Sequence, residues 1–136
     1  RNDLGPVLPK MGTWAEVMQH EQLADGRWLI VLLALERASI IESPSDRLYR
    51  KVQVELLPEP ESNGMAGVAL YTRLIEALKA RTSGKWDASA ELPTGRLADL
   101  LLHALTLDPA RNDRAYHERD PIARATLALA WHEKEA

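Results

Sequence analysis

The longest apolar run in the chain covers eight residues, from Trp28 to Leu35. A helix over this run would be apolar on every side, which is typical of a central, buried element. The sequence continues through Ala38 with no break signal, so the whole segment is longer than an ordinary strand. We therefore predict a helix over 27–42, which should be the most buried element. A strand over 28–35 is the alternative.

A helix start signal precedes this run. Thr13 and Glu16 have the spacing of a capping box, in which each side chain bonds a backbone N–H group at the helix start. The segment ends at Asp25-Gly26, because glycine readily takes the left-handed conformation that closes a helix. The apolar positions that recur at helical spacing between these signals are Trp14, Val17 and Met18. The pattern predicts a helix from Thr13 to Asp25, after an irregular arm over 1–12.

A second start signal, Ser43-Pro44, combines a hydroxyl cap with a proline at the first helical position. The apolar positions over 48–57 fit a strand when alternate residues are counted, but they also form one helical face. The cap favours a helix here, and a strand over 48–57 is the alternative. Prolines, Ser62, Asn63 and Gly64 then make 58–64 a linker and a possible hinge.

The second half of the chain has the clearest helical periodicity. Apolar residues recur at helical spacing over 65–82, and leucines form one face over 94–107. Asp108-Pro109 and Asp120-Pro121 each place a capping side chain before a proline, so they predict helices over 109–119 and 121–134.

These elements together predict an all-α fold, a single helical domain over 1–136. Six to seven short helices with brief connections are typical of a bundle or an orthogonal array. If 28–35 and 48–57 are strands instead, the fold is α+β.

Composition narrows the functional classes. The chain has no cysteine, which excludes disulfides, cysteine-ligated metal sites and thiol catalysis. Its longest apolar run is far shorter than the roughly 20 residues of a membrane-spanning helix. No signal-peptide pattern is present, so we expect a cytoplasmic protein without a membrane span. The 17 basic and 20 acidic residues are mixed along the chain, which disfavours nucleic acid as a partner.

Three acid–histidine pairs are candidates for a metal site. Glu16 and His20, Asp99 and His103, and Asp113 and His117 are each four residues apart, so each pair would share one helix face. Facing glutamates and a His-Glu-x-x-His motif, which helical metalloenzymes use, are missing. We interpret the pairs as structural, with His103 as a hydrogen-bonded core residue, and we predict no cofactor and no metal.

Four arginines near the C-terminus are the best candidates for binding nucleic acid. They are Arg111, Arg114, Arg119 and Arg124, and acidic residues alternate with them. This alternation favours ion pairs along the helix surface over a basic recognition face. A nucleic-acid-binding domain that uses these helices remains an alternative function, followed by a metal-dependent helical enzyme.

The best candidates for contacting a protein partner are Trp86 and Leu102. Trp86 lies in a polar loop between Lys85 and Asp87, and tryptophan is enriched at binding hot spots. Leu102 belongs to three consecutive leucines, which cannot all face inward on one narrow helix face. The sequence carries no catalytic motif. We therefore predict a non-catalytic protein-interaction or assembly module that binds a protein partner or forms a homodimer.

Overall fold

The computed structural model describes residues 6–60, 64–84 and 91–135 of the chain. Three strands precede four helices: β1 (Met11–Gln22), β2 (Trp28–Ser43), β3 (Lys51–Leu57), α1 (Met65–Arg81), α2 (Thr94–Ala104), α3 (Pro109–His117) and α4 (Pro121–Glu135). The chain divides into two compact units, Arg1–Pro58 and Glu59–Ala136. We call them the sheet unit and the helical unit.

The prediction of an all-α fold is wrong, because the structure is α+β. The predicted helices over Thr13–Asp25 and 27–42 are the antiparallel strands β1 and β2, and the segment after Ser43-Pro44 leads into β3 rather than into a helix. The alternative with strands near 28–35 and 48–57 lies closer to the structure. Strand order in the sheet is β1-β2-β3.

A tight turn explains the first error. Asp25-Gly26 does not end a helix but joins β1 to β2, with Gly26 at a φ of +84°. The N–H of Gly26 donates to the carbonyl of Leu23, and the N–H of Leu23 donates to that of Arg27. The Asp25 carboxylate accepts from the backbone N–H of Arg27 at 3.1 Å. The same left-handed glycine serves a helix end and a hairpin turn, so the local signal does not separate them.

The sheet contains two irregularities. Leu35 is an extra residue in β2, because Trp14 pairs with Glu36 while Ala15 pairs with Ala34. Met18 is an extra residue in β1, between the pairs Val17–Leu32 and Gln19–Val31. β3 pairs with the far end of β2, from Arg37 to Ser43. Among the described residues, the first half of β2 therefore pairs with β1 alone, as a two-stranded ribbon.

The four helices predicted in the second half are confirmed, with ends shifted by a few residues at most. Asp108 caps α3, since its carboxylate accepts from the N–H of Arg111 at 2.9 Å. Asp120 accepts in the same way from the N–H of Ile122. These local hydrogen bonds explain why the two Asp-Pro signals are reliable.

The buried apolar cluster of the described residues lies in the helical unit. Leu74, Leu97, Leu101, Ala125 and Ala128 are fully buried within it. In the sheet unit, Ala38 is the buried apolar residue among those described. The boundary between the units falls at Pro58, where the predicted linker over 58–64 begins; the hinge and the single domain stay predictions.

Candidate functional site

The ribbon formed by β1 and the first half of β2 exposes apolar side chains on both faces. Six consecutive residues of β2, Trp28 to Leu33, are each between 47% and 60% exposed. The sequence predicts that this segment is the most buried part of the chain, and that prediction is wrong. A segment that is apolar throughout shows no period, so its pattern cannot reveal that both faces are open.

One face of the ribbon is mainly apolar, and we call it the tryptophan face. Alternate residues of a strand share a face, and residues paired across an antiparallel ladder share one too. Trp28, Ile30 and Leu32 of β2 therefore lie beside Val17 and His20 of β1. The rings of His20 and Trp28 lie 5.6 Å apart, which agrees with this placement.

The opposite face, the glutamate face, carries an apolar row beside a polar one. Leu29, Val31 and Leu33 of β2 pair with Glu21, Gln19 and Glu16 of β1 respectively. Both carboxylates are exposed. This face therefore presents leucine and valine side chains bordered by two negative charges.

The edge of β2 that faces away from β1 is open from Trp28 to Ala34, and we call it the open edge. Among the described residues, β3 reaches only the segment from Arg37 onward. Seven residues without charge, proline or glycine form the open edge. Exposed edges are usually blunted by charge, by proline or by a bulge, because unpaired N–H and C=O groups accept a further strand. β1 has such a bulge at Met18, whereas the open edge has none before Leu35.

The helical unit contains a charge cluster that the sequence did not reveal. Arg124 on α4 is fully buried and forms an ion pair with Glu59, at the start of the unit. The Asp99 carboxylate on α2 lies 2.8 Å from Nε of Arg124, off the line of a hydrogen bond. Nη1 of Arg124 donates to the backbone carbonyl of Glu118 at 2.8 Å. Arg124 thus connects three segments that are distant in sequence.

Gly95 makes room for this cluster. A Cβ atom at Gly95 would collide with the Glu59 carboxylate and lie 2.6 Å from Nη2 of Arg124. The backbone of α2 can therefore approach the ion pair only because this residue has no side chain.

Two of the three acid–histidine pairs do not meet as the sequence predicts. Glu16 and His20 lie on opposite faces of the ribbon because Met18 is an extra residue between them. Asp99 pairs with Arg124, and His103 is exposed rather than part of the core. Asp113 and His117 do meet on α3, with Nδ1 3.4 Å from the carboxylate. Within the described ranges, no group of three or more potential metal ligands comes together.

Of the four C-terminal arginines, Arg111 forms an ion pair at the start of its own helix, as predicted, whereas Arg124 does not lie on the helix surface. Arg111 pairs with Asp108 at 3.3 Å and with Glu135 of α4 at 3.8 Å. Arg124 turns into the core, as described above.

Among the helices that the structure describes, none is long and apolar enough to cross a membrane.

The structure describes one of the two predicted partner contacts, Leu102, and does not describe the other. Trp86 lies outside the described residues. Leu102 packs within the core of the helical unit and is 8% exposed, while its neighbour Leu100 is 39% exposed. Among the three leucines, Leu100 therefore faces outward. That Trp86 and Leu102 bind a partner stays a prediction.

Comparison with known protein families identifies the family of this chain. A family model of the ATP-dependent protease La (LON) substrate-binding domain matches residues 2–132. Comparison with curated protein sequences gave no significant match.

Two solved structures are similar to this chain. The N terminal domain of Mycobacterium avium complex Lon protease has a TM-score of 0.75 at 22% identity, with 98% of this chain and 75% of that chain covered. A Lon N-terminal domain protein from Xanthomonas campestris has a TM-score of 0.65 at 18% identity, with 92% and 69% covered. At these identities the two structures establish the α+β fold. The family match confirms, in general terms, the prediction of a protein-binding module. The chain belongs to the ATP-dependent protease La (LON) substrate-binding domain family.

Proposed function

We propose that this domain binds unfolded segments of protein substrates through the ribbon of β1 and β2. The observation that carries the proposal is the row of six half-exposed apolar residues from Trp28 to Leu33. Folded proteins rarely expose apolar patches of more than a few hundred Å² unless the patch binds something. The ribbon exposes apolar side chains on both faces, and unfolded chains expose the apolar side chains that would cover them.

The free energy gained by covering the apolar side chains of one face is small. Full burial of a large aliphatic side chain contributes about 1.5–3 kcal/mol, so covering the exposed half contributes about 1 kcal/mol per residue. Three residues on one face give about 3 kcal/mol, which is less than most estimates of the cost of association. Contact with one face alone is therefore too weak for stable binding. A substrate that binds at micromolar concentration must therefore use both faces and add further contacts, such as backbone hydrogen bonds.

The direct test measures binding of a fluorescently labelled unfolded protein, such as β-casein, by anisotropy. One variant carries Ile30→Ser with Leu32→Ser on the tryptophan face, and another carries Leu29→Ser with Leu33→Ser on the glutamate face. Each pair removes about 2 kcal/mol of apolar burial, so we expect each variant to bind roughly 30-fold more weakly.

The matched control carries Met65→Ser with Val68→Ser on α1. These residues are 91% and 69% exposed but lie in the helical unit. We expect the control to bind like the unmodified chain. Equal loss in the control and the ribbon variants, or no loss in either ribbon variant, would contradict the proposal. Circular dichroism establishes that every variant keeps its secondary structure.

The homodimer and the cytoplasmic location are further proposals about this chain. A second copy could cover the same apolar ribbon, and sedimentation velocity across a concentration series tests this directly. A monomer at all concentrations would contradict the homodimer. Imaging of the tagged protein in its own cells tests the location.

A further inference from the structure

We propose that a bound segment adds to the sheet as a new strand along the open edge, and that segments with lysine or arginine on one face are preferred. This inference rests on the proposed function, because it describes how the same ribbon holds its substrate. The preferred segment is extended, with apolar side chains at alternate positions and basic side chains at positions between them.

The backbone of β2 can pair with a further strand along the open edge. Alternate residues along an antiparallel edge strand direct their N–H and C=O groups away from the existing partner. From Trp28 to Ala34 no described strand occupies that side. An extended segment can bond these groups whatever its side chains are, as in other cases of strand addition. The bulge at Leu35 ends the regular stretch, so the open edge accommodates about seven residues.

Addition of a strand also uses both faces at once. Side chains of the new strand would alternate between the tryptophan face, beside Trp28, Ile30 and Leu32, and the glutamate face, beside Leu29 and Leu33. The apolar contacts of the two faces then combine with backbone hydrogen bonds. This combination supplies what contact with a single face lacks.

The glutamate face provides the preference for charge. Leu29 pairs with Glu21 and Leu33 pairs with Glu16, so two rows across the ribbon end in a carboxylate. Strands in a sheet lie about 4.8 Å apart, which places the backbone of the new strand about 10 Å from β1. A lysine or arginine can lay its aliphatic stem over Leu29 or Leu33 and bring its charge close to the carboxylate. Basic residues four positions apart would match Glu21 and Glu16 together.

The test for charge uses three labelled peptides with identical apolar residues. They carry lysine, glutamine or glutamate at two positions four residues apart. We expect the lysine peptide to bind about 3- to 10-fold more tightly than the glutamine peptide, and the glutamate peptide to bind most weakly. The differences should vanish at 1 M NaCl, where the screening length is about 3 Å.

The matched variants separate local charge from net charge. E16Q with E21Q should abolish the ranking of the three peptides and leave the glutamine peptide unchanged. The control, E76Q with E91Q, changes the net charge equally at exposed positions in the helical unit and should keep the ranking. A ranking that survives E16Q with E21Q, or is lost in the control, overturns the preference for basic segments.

The test for strand addition uses backbone N-methylation of the lysine peptide, one residue at a time. We expect losses of 10-fold or more at every second position and little change between them, because only alternate N–H groups would face the open edge. Uniform effects along the peptide overturn strand addition.

If β-casein binds and the substitutions on the ribbon weaken its binding, that result leaves the proposed function standing. If neither β-casein nor any peptide binds, the proposed function fails as well.

Discussion

Replacement of Arg124 by methionine should destabilise the helical unit strongly. Methionine keeps much of the side-chain volume but removes the charge that Glu59 and Asp99 share. It also removes the donor to the carbonyl of Glu118. Arg124 is fully buried, so the protein, and not water, solvates its guanidinium. The substitution thus removes a buried positive charge that both carboxylates contact.

The magnitude follows from the exposure of the partners. Removal of one member of a fully buried ion pair costs about 3–5 kcal/mol. The side chains of Glu59 and Asp99 are 28% and 32% exposed, so water partly replaces the lost contact. We therefore expect a loss of about 2–4 kcal/mol in the free energy of unfolding. For a unit of this size the melting temperature should fall by roughly 10–30 °C.

Urea titration followed by circular dichroism at 222 nm measures this loss, because all four helices belong to the helical unit. The control is Arg73→Met, which breaks the ion pair between Arg73 and Glu133 at 2.7 Å. Both side chains of that pair are more than half exposed, so its loss should cost less than about 1 kcal/mol. A cost of Arg124→Met no larger than that of the control would show that the buried charge of Arg124 does not stabilise the helical unit.

Further substitutions probe the helical unit by the same titration. Gly95→Ala should cost about 1–3 kcal/mol because its Cβ collides with the Glu59 carboxylate. In a Glu59→Ala background the added cost of Gly95→Ala should shrink, because only the close contact with Nη2 of Arg124 remains. Asp108→Ala removes the cap of α3 and should cost about 1 kcal/mol. Leu102→Ala should cost about 2–4 kcal/mol, and Leu100→Ala less than half as much, because only Leu102 is buried.

Each of these predictions has a result that would contradict it. An equal cost of Gly95→Ala in both backgrounds would show that the collision with Glu59 is not its cause. No effect of Asp108→Ala would mean that the cap is replaced by water. Equal costs at Leu100 and Leu102 would contradict the placement of these two leucines.

The helical half of the fold could be predicted from the sequence because its signals are local. A cap and a proline at Asp108-Pro109 act within one turn, and the structure has a helix there. The strands could not be predicted in this way. Thr13 and Glu16 have the spacing of a capping box, yet both lie in β1. Pairing with β2 supplies the backbone hydrogen bonds there, and such long-range pairing overrides local helix signals.

The candidate site was hidden for a related reason. An eight-residue apolar run predicts burial, and only the structure shows that Trp28 and its neighbours remain half exposed. In the cluster around Arg124, the ion pair between Arg124 and Glu59 joins residues that are 65 positions apart in the sequence. No pattern within a helix identifies such a contact, so the sequence placed Arg124 on a solvated surface.

The uneven distribution of buried side chains has a consequence for how the protein opens. The buried apolar cluster of the described residues belongs to the helical unit, whereas the ribbon of β1 and β2 has both faces open. Protection of backbone amides against hydrogen exchange follows the local free energy of opening. Amides of α2 and α4 should therefore exchange slowest, and those of the ribbon orders of magnitude faster. A surface that opens this readily can exchange its own strand pairing for pairing with another chain.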